Sequence, residues 1–361
     1  MTAVRIGSRT VGDGHPVFFL AELSGNHNGS LLRALEIVDA AAEAGASAIK
    51  LQTFRPDTLT LNSRTDRFRL PDTGSPWAGR YLWDLYEEAH TPWEWHESLF
   101  ARARANGLEC ISTAFDTESV NFLMSCGVDA IKISSFELIH LPLLRYATSA
   151  GIPIILSTGM ASRSEVQDAV ETVRGAGGSL IVLRSTSAYP SSVRDANLRA
   201  IPAMREELQE LVGLSDHTLS SAVVAAAVSL GACLIEKHLT LSRADGGPDA
   251  LFSLEPAELA EVVRTASEIR EALGEANVGP REAESASLWE RPSVWVTSRV
   301  RSGEKFTDRN IRVLRPSGGL PPKHFPHLLG MVAARDLEPA TPLTREHVTD
   351  RRGHPWSEDS R

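Results

Sequence analysis

The chain reads as an α/β protein, a (β/α)8 barrel followed by a small β-rich C-terminal unit, and three observations predict this. Eight short, β-branched runs recur over roughly 240 residues with a helical segment between successive runs, the size of such a barrel. Most helical segments end on a glycine just before the next run, at Gly45, Gly107, Gly127, Gly151, Gly177 and Gly231, where a helix end takes a left-handed residue. Every run also carries polar residues at its carboxyl end, where barrels of this kind keep their chemistry. A doubly wound sheet of eight strands is the alternative reading.

The first run, 17–22, closes on Glu22 and leads into Asn26-His27-Asn28-Gly29. Residues 31–44 then place apolar side chains at helical spacing, as a barrel-wrapping helix should. The second run, 48–52, contains Lys50 and Gln52. Some forty residues rich in Pro, Gly and Trp follow, including Pro71, Gly74, Pro76, Gly79 and Trp83. They end at Thr91-Pro92-Trp93-Glu94, which predicts a capping Thr, proline at the first helical position and glutamate at the third. A long strand-to-helix loop on the active face is a lid or a substrate wall. Its tryptophans could pack the loop down or stack on a sugar.

The remaining runs are 109–113, 130–134, 153–157, 180–185, 211–215 and 233–237. They supply Thr113; then Lys132, Ser135 and Glu137; then Ser157-Thr158-Gly159. Ser187 and Tyr189 follow the sixth run, Ser215-Asp216-His217 ends the seventh, and Glu236-Lys237-His238 ends the eighth. Residues 1–272 thus form the predicted barrel, and 273–290, charged, small and punctuated by Gly and Pro, a linker. A second unit spans 291–350 and holds a weak internal repeat, in which the stretch from Val300 resembles the stretch from Leu337. Each copy offers a strand end, a turn and a Thr capping a short helical turn. The last eleven residues are polar and expected to be disordered.

The 361 residues carry a formal net charge of −9 with no run of five like charges, which argues against nucleic acid or an anionic membrane as partner. An anionic substrate must then be held by local lysines and backbone N–H groups. Cys110, Cys126 and Cys233 form no close-spaced pair and read as buried thiols in a reducing compartment. Residues 1–11 contain no apolar core of signal-peptide length, and the longest apolar stretch, 222–235, is interrupted and too short for a bilayer. A cytoplasmic, soluble protein is expected.

The sharpest chemical signal is the pair His217 and His238, each just beyond a short apolar run, with an Ala/Val-rich helical stretch between them. Strand–helix–strand spacing sets the two imidazoles side by side at one barrel end. Neutral imidazole is the commonest side-chain ligand for Zn, Mn, Fe or Co, so a divalent metal is expected there. A lone His would more often be structural. Lys50 and Lys132 lie inside strands, where an unpartnered ammonium costs several kcal/mol. Either carboxylates such as Glu22 or Glu236 neutralise them, or they await an anion, for which the hydroxyls of Thr113, Ser135, Ser157, Ser187 and Ser215 form a donor ring. A Schiff-base lysine competes, but has no use for a two-histidine metal. Glu22 and Glu137 are acid/base candidates whose other role is pairing with the lysines. Asp249 sits in Gly246-Gly247-Pro248-Asp249, where Asp often only caps a turn, yet His238 is near in sequence.

Five stretches together resemble the sialic acid synthase family: Ala21 to Gly29, Lys50-Leu51-Gln52-Thr53, Leu156 to Met160, Gly213 to His217, and Glu236-Lys237-His238. The resemblance runs from about residue 15 to 350, and its second part is similar to the antifreeze-like (SAF) domain that ends these enzymes. It implies condensation of phosphoenolpyruvate with an amino sugar to a nine-carbon nonulosonic acid. Ser134-Ser135-Phe136-Glu137, Thr91 to His96 and Leu241 to Asp249 look closest to the pseudaminic acid branch, which implies 2,4-diacetamido-2,4,6-trideoxy-L-altrose as the sugar. Neuraminate or legionaminate synthesis is the near alternative. A metal-dependent barrel hydrolase and a sugar-binding protein without activity are the distant ones.

By position, the resemblance implies that His217 and His238 hold the metal, with manganese expected first and magnesium or cobalt next. It implies that Lys50, Thr113, Lys132, Ser135, Ser157, Ser187 and Ser215 surround phosphoenolpyruvate, and that Tyr189 and Asp249 face the sugar or a metal-bound water. Arg315 matches an arginine that one subunit inserts into the other's barrel, which implies a domain-swapped homodimer. The loop departs from the family there, reading Arg315-Pro316-Ser317-Gly318 where Arg-Pro-Gly is usual.

Overall fold

The computed structural model describes residues 3–72 and 74–356, and the chain divides into two compact units, Met1–Gly274 and Glu275–Arg361. The first begins with an antiparallel pair, β1 (Val4–Ile6) and β2 (Arg9–Val11). Eight parallel strands follow: β3 (Phe18–Glu22), β4 (Ala48–Thr53), β5 (Glu109–Ala114), β6 (Ala130–Ile133), β7 (Ile154–Ser157), β8 (Leu180–Ser185), β9 (Leu211–Asp216) and β10 (Leu234–His238). Each pairs with the next, and β10 closes on β3, so the sheet is a barrel and not an open doubly wound sheet. The strands lie within two residues of the predicted runs.

The strand period of two sorts the side chains. Phe18, Leu20, Ala48, Ile111, Ala130, Ile155, Ile181, Leu183 and Leu234 form one buried apolar cluster with Val4, Ile6 and Val11. The amino-terminal pair therefore plugs the amino end of the barrel. Three-residue strands carry no usable periodicity, so the sequence alone assigns these first residues no structural role. Stepping two residues further along the same strands reaches Glu22, Lys50, Thr113, Lys132, Ser157, Ser185 and Glu236, and Ser215 on β9 pairs in register with Ser185 and Glu236, all buried. The interior thus changes from hydrocarbon to polar groups toward the carboxyl end.

Residues of opposite parity, such as Ile49, Leu51, Ile131, Ile133, Leu156, Val182, Val212 and Ile235, pack with the surrounding helices in a second cluster. The helix Leu31–Glu43 shows how: Ser30 caps it by accepting from the Arg33 N–H at 3.3 Å, and Ala34, Ile37, Val38 and Ala41 form its buried stripe. Gly45 ends it with φ of 85°. Parity also separates the lysines. Lys237 faces outward, donates to Asp216 at 2.9 Å and to the Thr218 carbonyl, and belongs to the wall.

The long connection after β4 contains two short helices, Pro56–Leu59 and Leu82–Ala89, and a bridge between Arg69 and Tyr81. The expected Thr91 cap is corrected: the short turn Trp93–Trp95 has Pro92 at its N-cap and no side-chain cap bond, and the Thr91 hydroxyl is buried without a hydrogen-bond partner. Trp93 stacks on Phe122 instead, with centroids 4.5 Å apart, tying the end of the loop to the helix Thr117–Ser125 that follows β5.

In the second unit β11 (Ser293–Val296) pairs with β12 (Ile311–Leu314), and β13 (Val332–Ala333) with β14 (Val348–Thr349), around Val294, Val300, Phe306, Ile311, Leu337 and Leu343. The internal repeat is visible in the backbone. Val300 and Leu337, the first residues of the two copies, exchange backbone hydrogen bonds of 2.9 and 2.8 Å. Phe306 and Leu343 are both fully buried. The region expected to be a linker carries a 3-10 helix, Glu282–Glu290, with no buried residue. Disorder from residue 351 onward is corrected in part: Thr349 bridges Pro355, and Trp356 joins the core of this unit, since a buried indole compensates for ordering a polar segment. Residues 357–361 lie outside the described residues. No helix among those described is long and apolar enough to cross a membrane.

Candidate active site

At the carboxyl end of the barrel a cavity of about 480 Å³ opens above the polar layer. Lys50 lies at its floor. Its ammonium is 2.5 Å from Glu22 Oε2 and 3.6 Å from Glu236 Oε1, and it donates to Thr113 Oγ1 at 3.1 Å. Burial alone would lower its pKa, but the two carboxylates outweigh this and raise it, so it stays cationic. Lys132 donates to Ser157 Oγ at 2.6 Å and is 4.0 Å from Glu236 Oε2. With a more distant counter-charge, burial prevails and draws it down to about 8. Lys132 is therefore the cation less satisfied by the protein, and the readier to meet an anion.

Glu236 accepts from Ser215 Oγ at 3.2 Å, and the two lysines keep its pKa low against the cost of burial. It joins both lysines at the centre of the site, a role that sequence alone leaves open. Its parity with His238, two residues on, could have shown it. Glu22 is fully buried; desolvation raises its pKa against the pull of Lys50. Gln52, not singled out as a site residue, donates from Nε2 to Glu22 Oε1 at 2.9 Å and to Ser24 Oγ at 3.1 Å.

His217 and His238 stand side by side with ring centroids 5.3 Å apart. Nδ1 of His217 donates to the Thr186 carbonyl at 3.0 Å, which leaves Nε2 bare. Burial lowers the pKa of both, His217 to about 4, so both imidazoles are neutral. Nδ1 of His238 has no hydrogen-bond partner. Two neutral, buried and oriented nitrogen donors fit a divalent metal. Among the described residues no third His, Cys, Asp or Glu joins them in a ligand cluster, so water and substrate would fill the other positions.

The remaining candidates surround this centre. Ser135 accepts from the Gly159 N–H at 2.9 Å, and any side chain at Gly159 would collide with Ser187 Oγ, so Ser135, Gly159 and Ser187 form one tight corner. Glu137 lines the cavity, accepts from Ser134 Oγ, and is pushed toward its neutral form by burial. Tyr189 lies 4.4 Å from the His217 ring and 5.1 Å from Trp77, centroid to centroid. Asp249 lines the wall and accepts from Ser24 Oγ, so it does more than cap its own turn. Arg315 is in the second unit, 3.4 Å from Glu290. The long loop supplies Leu70, Trp77, Leu82 and Tyr86 to the cavity, and Phe136 adds to the lining. Trp77 both packs and lines: its indole N–H donates to the Pro248 carbonyl at 2.7 Å.

Comparison with known proteins identifies the family. The pseudaminic acid synthase of Campylobacter jejuni is 39% identical over 89% of this chain and 94% of its own length. The N,N'-diacetyllegionaminic acid synthase of Legionella pneumophila is 34% identical over 95% of this chain and 97% of its own. The crystal structure of an N-acetylneuraminic acid synthetase from Leptospira borgpetersenii, in complex with citrate, superposes with a TM-score of 0.70 at 32% identity, covering 80% of this chain and 95% of that one. Residues 291–349 match the SAF domain, and residues 37–278 match the NeuB family. A shared barrel, a shared terminal domain and identity along nearly the whole chain place this protein in the NeuB family.

Proposed function

We propose that this cavity condenses phosphoenolpyruvate with 2,4-diacetamido-2,4,6-trideoxy-L-altrose, giving pseudaminic acid and inorganic phosphate. The observation that carries the reading is a pair of inward lysines with adjacent hydroxyls, set one layer below two neutral imidazoles. The sugar assignment rests on the higher identity to a pseudaminic acid synthase than to a legionaminic acid synthase. The same chemistry on the legionaminate or neuraminate precursor is the second reading.

C3 of phosphoenolpyruvate bonds to the aldehyde carbon of the open-chain sugar, and the aldehyde oxygen takes a proton to become a hydroxyl. Water adds at C2 and loses a proton. The hemiketal phosphate then expels inorganic phosphate by C–O cleavage, leaving the ketone. Lys132 with Ser157, and Lys50 with Thr113, hold the anionic groups of phosphoenolpyruvate by charge-assisted hydrogen bonds, and Ser135, Ser187 and Ser215 complete the ring. Glu22 keeps Lys50 charged and in place. Glu137, facing the cavity and biased toward its neutral form, is the group suited to deliver and recover a proton. Tyr189 and Asp249 border the sugar. A divalent ion held by His217 and His238, manganese first and magnesium or cobalt as alternatives, supplies Lewis acidity toward the aldehyde when bound.

We read Arg315 as a residue that reaches the barrel of a second copy in a domain-swapped homodimer, and the protein as cytoplasmic on account of its three free thiols. The decisive experiment incubates the protein with Mn²⁺, phosphoenolpyruvate and each candidate sugar, and follows phosphate release. Release with the trideoxy altrose alone supports the assignment. Release only with N-acetylmannosamine moves the substrate, and no release with any sugar removes the synthase reading. Light scattering that finds a single chain in solution would remove the dimer.

A further inference from the structure

Six non-glycine residues among those described have positive φ, and Ser24, at 51°, is the one that is buried, with 1% exposure. A serine in the left-handed region is strained, and glycine would occupy it at no steric cost. Its hydroxyl is fully engaged. Ser24 Oγ donates to Asp249 Oδ2 and accepts from Gln52 Nε2 at 3.1 Å. The second Nε2 hydrogen of Gln52 goes to Glu22 Oε1 at 2.9 Å. The chain of bonds runs one way, from the Gln52 amide to the carboxylates of Glu22 and Asp249, and it consumes both hydrogens of that amide. The amide oxygen is the group of Gln52 left over, and Gln52 lines the cavity.

We propose that Ser24 is a positioning residue for sugar selection: it fixes the rotamer and polarity of Gln52, so that the cavity wall presents the amide oxygen as an acceptor to a sugar hydroxyl or acetamido N–H, and it holds the Asp249 carboxylate beside it. The serine hydroxyl is the reason the strained conformation is occupied by a residue other than glycine. This rests on the reading of the cavity as a sugar-condensing site.

The test is Ser24→Gly, with Ser24→Ala beside it. Both remove the hydroxyl, but only glycine releases the backbone strain. Ser24→Gly is expected to melt about 2 °C or more above Ser24→Ala. Both variants are expected to raise the KM for the sugar at least tenfold while the Kd for phosphoenolpyruvate changes less than twofold. A crystal structure of Ser24→Gly is expected to show Gln52 or Asp249 displaced. An unchanged sugar KM, an equal loss of phosphoenolpyruvate affinity, or a Ser24→Gly melting temperature at or below that of Ser24→Ala would each overturn the proposal. If wild type proves inactive with every sugar, the functional reading fails, and the crystal structure still decides the positioning: Gln52 and Asp249 unmoved in Ser24→Gly refutes it, and their displacement upholds it.

Discussion

Replacing Lys132 by methionine should make the protein more stable and a worse binder of phosphoenolpyruvate. The side chain is 3% exposed, and its pKa falls from the usual 10.5 to about 8 because burial outweighs the attraction of Glu236. At about 1.4 kcal/mol per pKa unit, holding the ammonium charged at neutral pH costs roughly 3 kcal/mol. Methionine fills similar space without the charge, so Lys132→Met should melt on the order of 5 °C higher at pH 7. The native pKa lies below the ordinary one. The penalty is therefore complete below pH 8, fades between about 8 and 10.5, and is absent above that range. The stability gain should shrink with it. Losing a charge-assisted hydrogen bond to the substrate costs about 1.5–3 kcal/mol, so the Kd for phosphoenolpyruvate should rise roughly 10- to 150-fold. Calorimetric melting from pH 7 to 10, with titration of phosphoenolpyruvate, reads both. A variant that melts at or below wild type at pH 7, or whose advantage does not decline by pH 10, would refute the assignment of Lys132 as an under-compensated cation.

His217→Ala, or chelator treatment of wild type, should lower phosphate release at least a hundredfold; Mn²⁺ should restore the chelated wild type but not the variant. Lys237→Met removes the ammonium that pairs with Asp216 in the barrel wall, away from the cavity, and should leave the phosphoenolpyruvate Kd of the folded protein unchanged by titration calorimetry, in contrast to Lys132→Met. Trp77→Ala removes the ring packed on Tyr189 and Phe252, and should raise the sugar KM about tenfold with a smaller effect on phosphoenolpyruvate, measured by steady-state kinetics.

Much of the site is legible because strand parity is a local property. Lys50 lies two residues beyond Ala48, and Lys132 two beyond Ala130, so once the apolar residues are taken as inward the lysines follow. The same rule shows that Lys237, one residue from His238, must point outward, although composition alone makes the three lysines look alike. The long loop announces itself as a wall by its length, but not which of its aromatic residues reach the cavity. Thr91 misled because a capping pattern is a local preference, and the packing of Trp93 on Phe122 overrides it.

The eight-fold alternation and the adjacency of His217 and His238 are readable from the chain alone, and strand parity assigns the inward residues once one of them is known. All of these depend on spacing along one strand or across one strand–helix–strand unit. It is the folded barrel that sets Glu236 between Lys50 and Lys132, plugs the barrel with the amino-terminal strands, and bonds Ser24 to Asp249. These contacts join strands brought together by closure of the sheet and loops more than two hundred residues apart. The energies that distinguish one lysine from the other arise from those distances, and neither parity nor motif carries them.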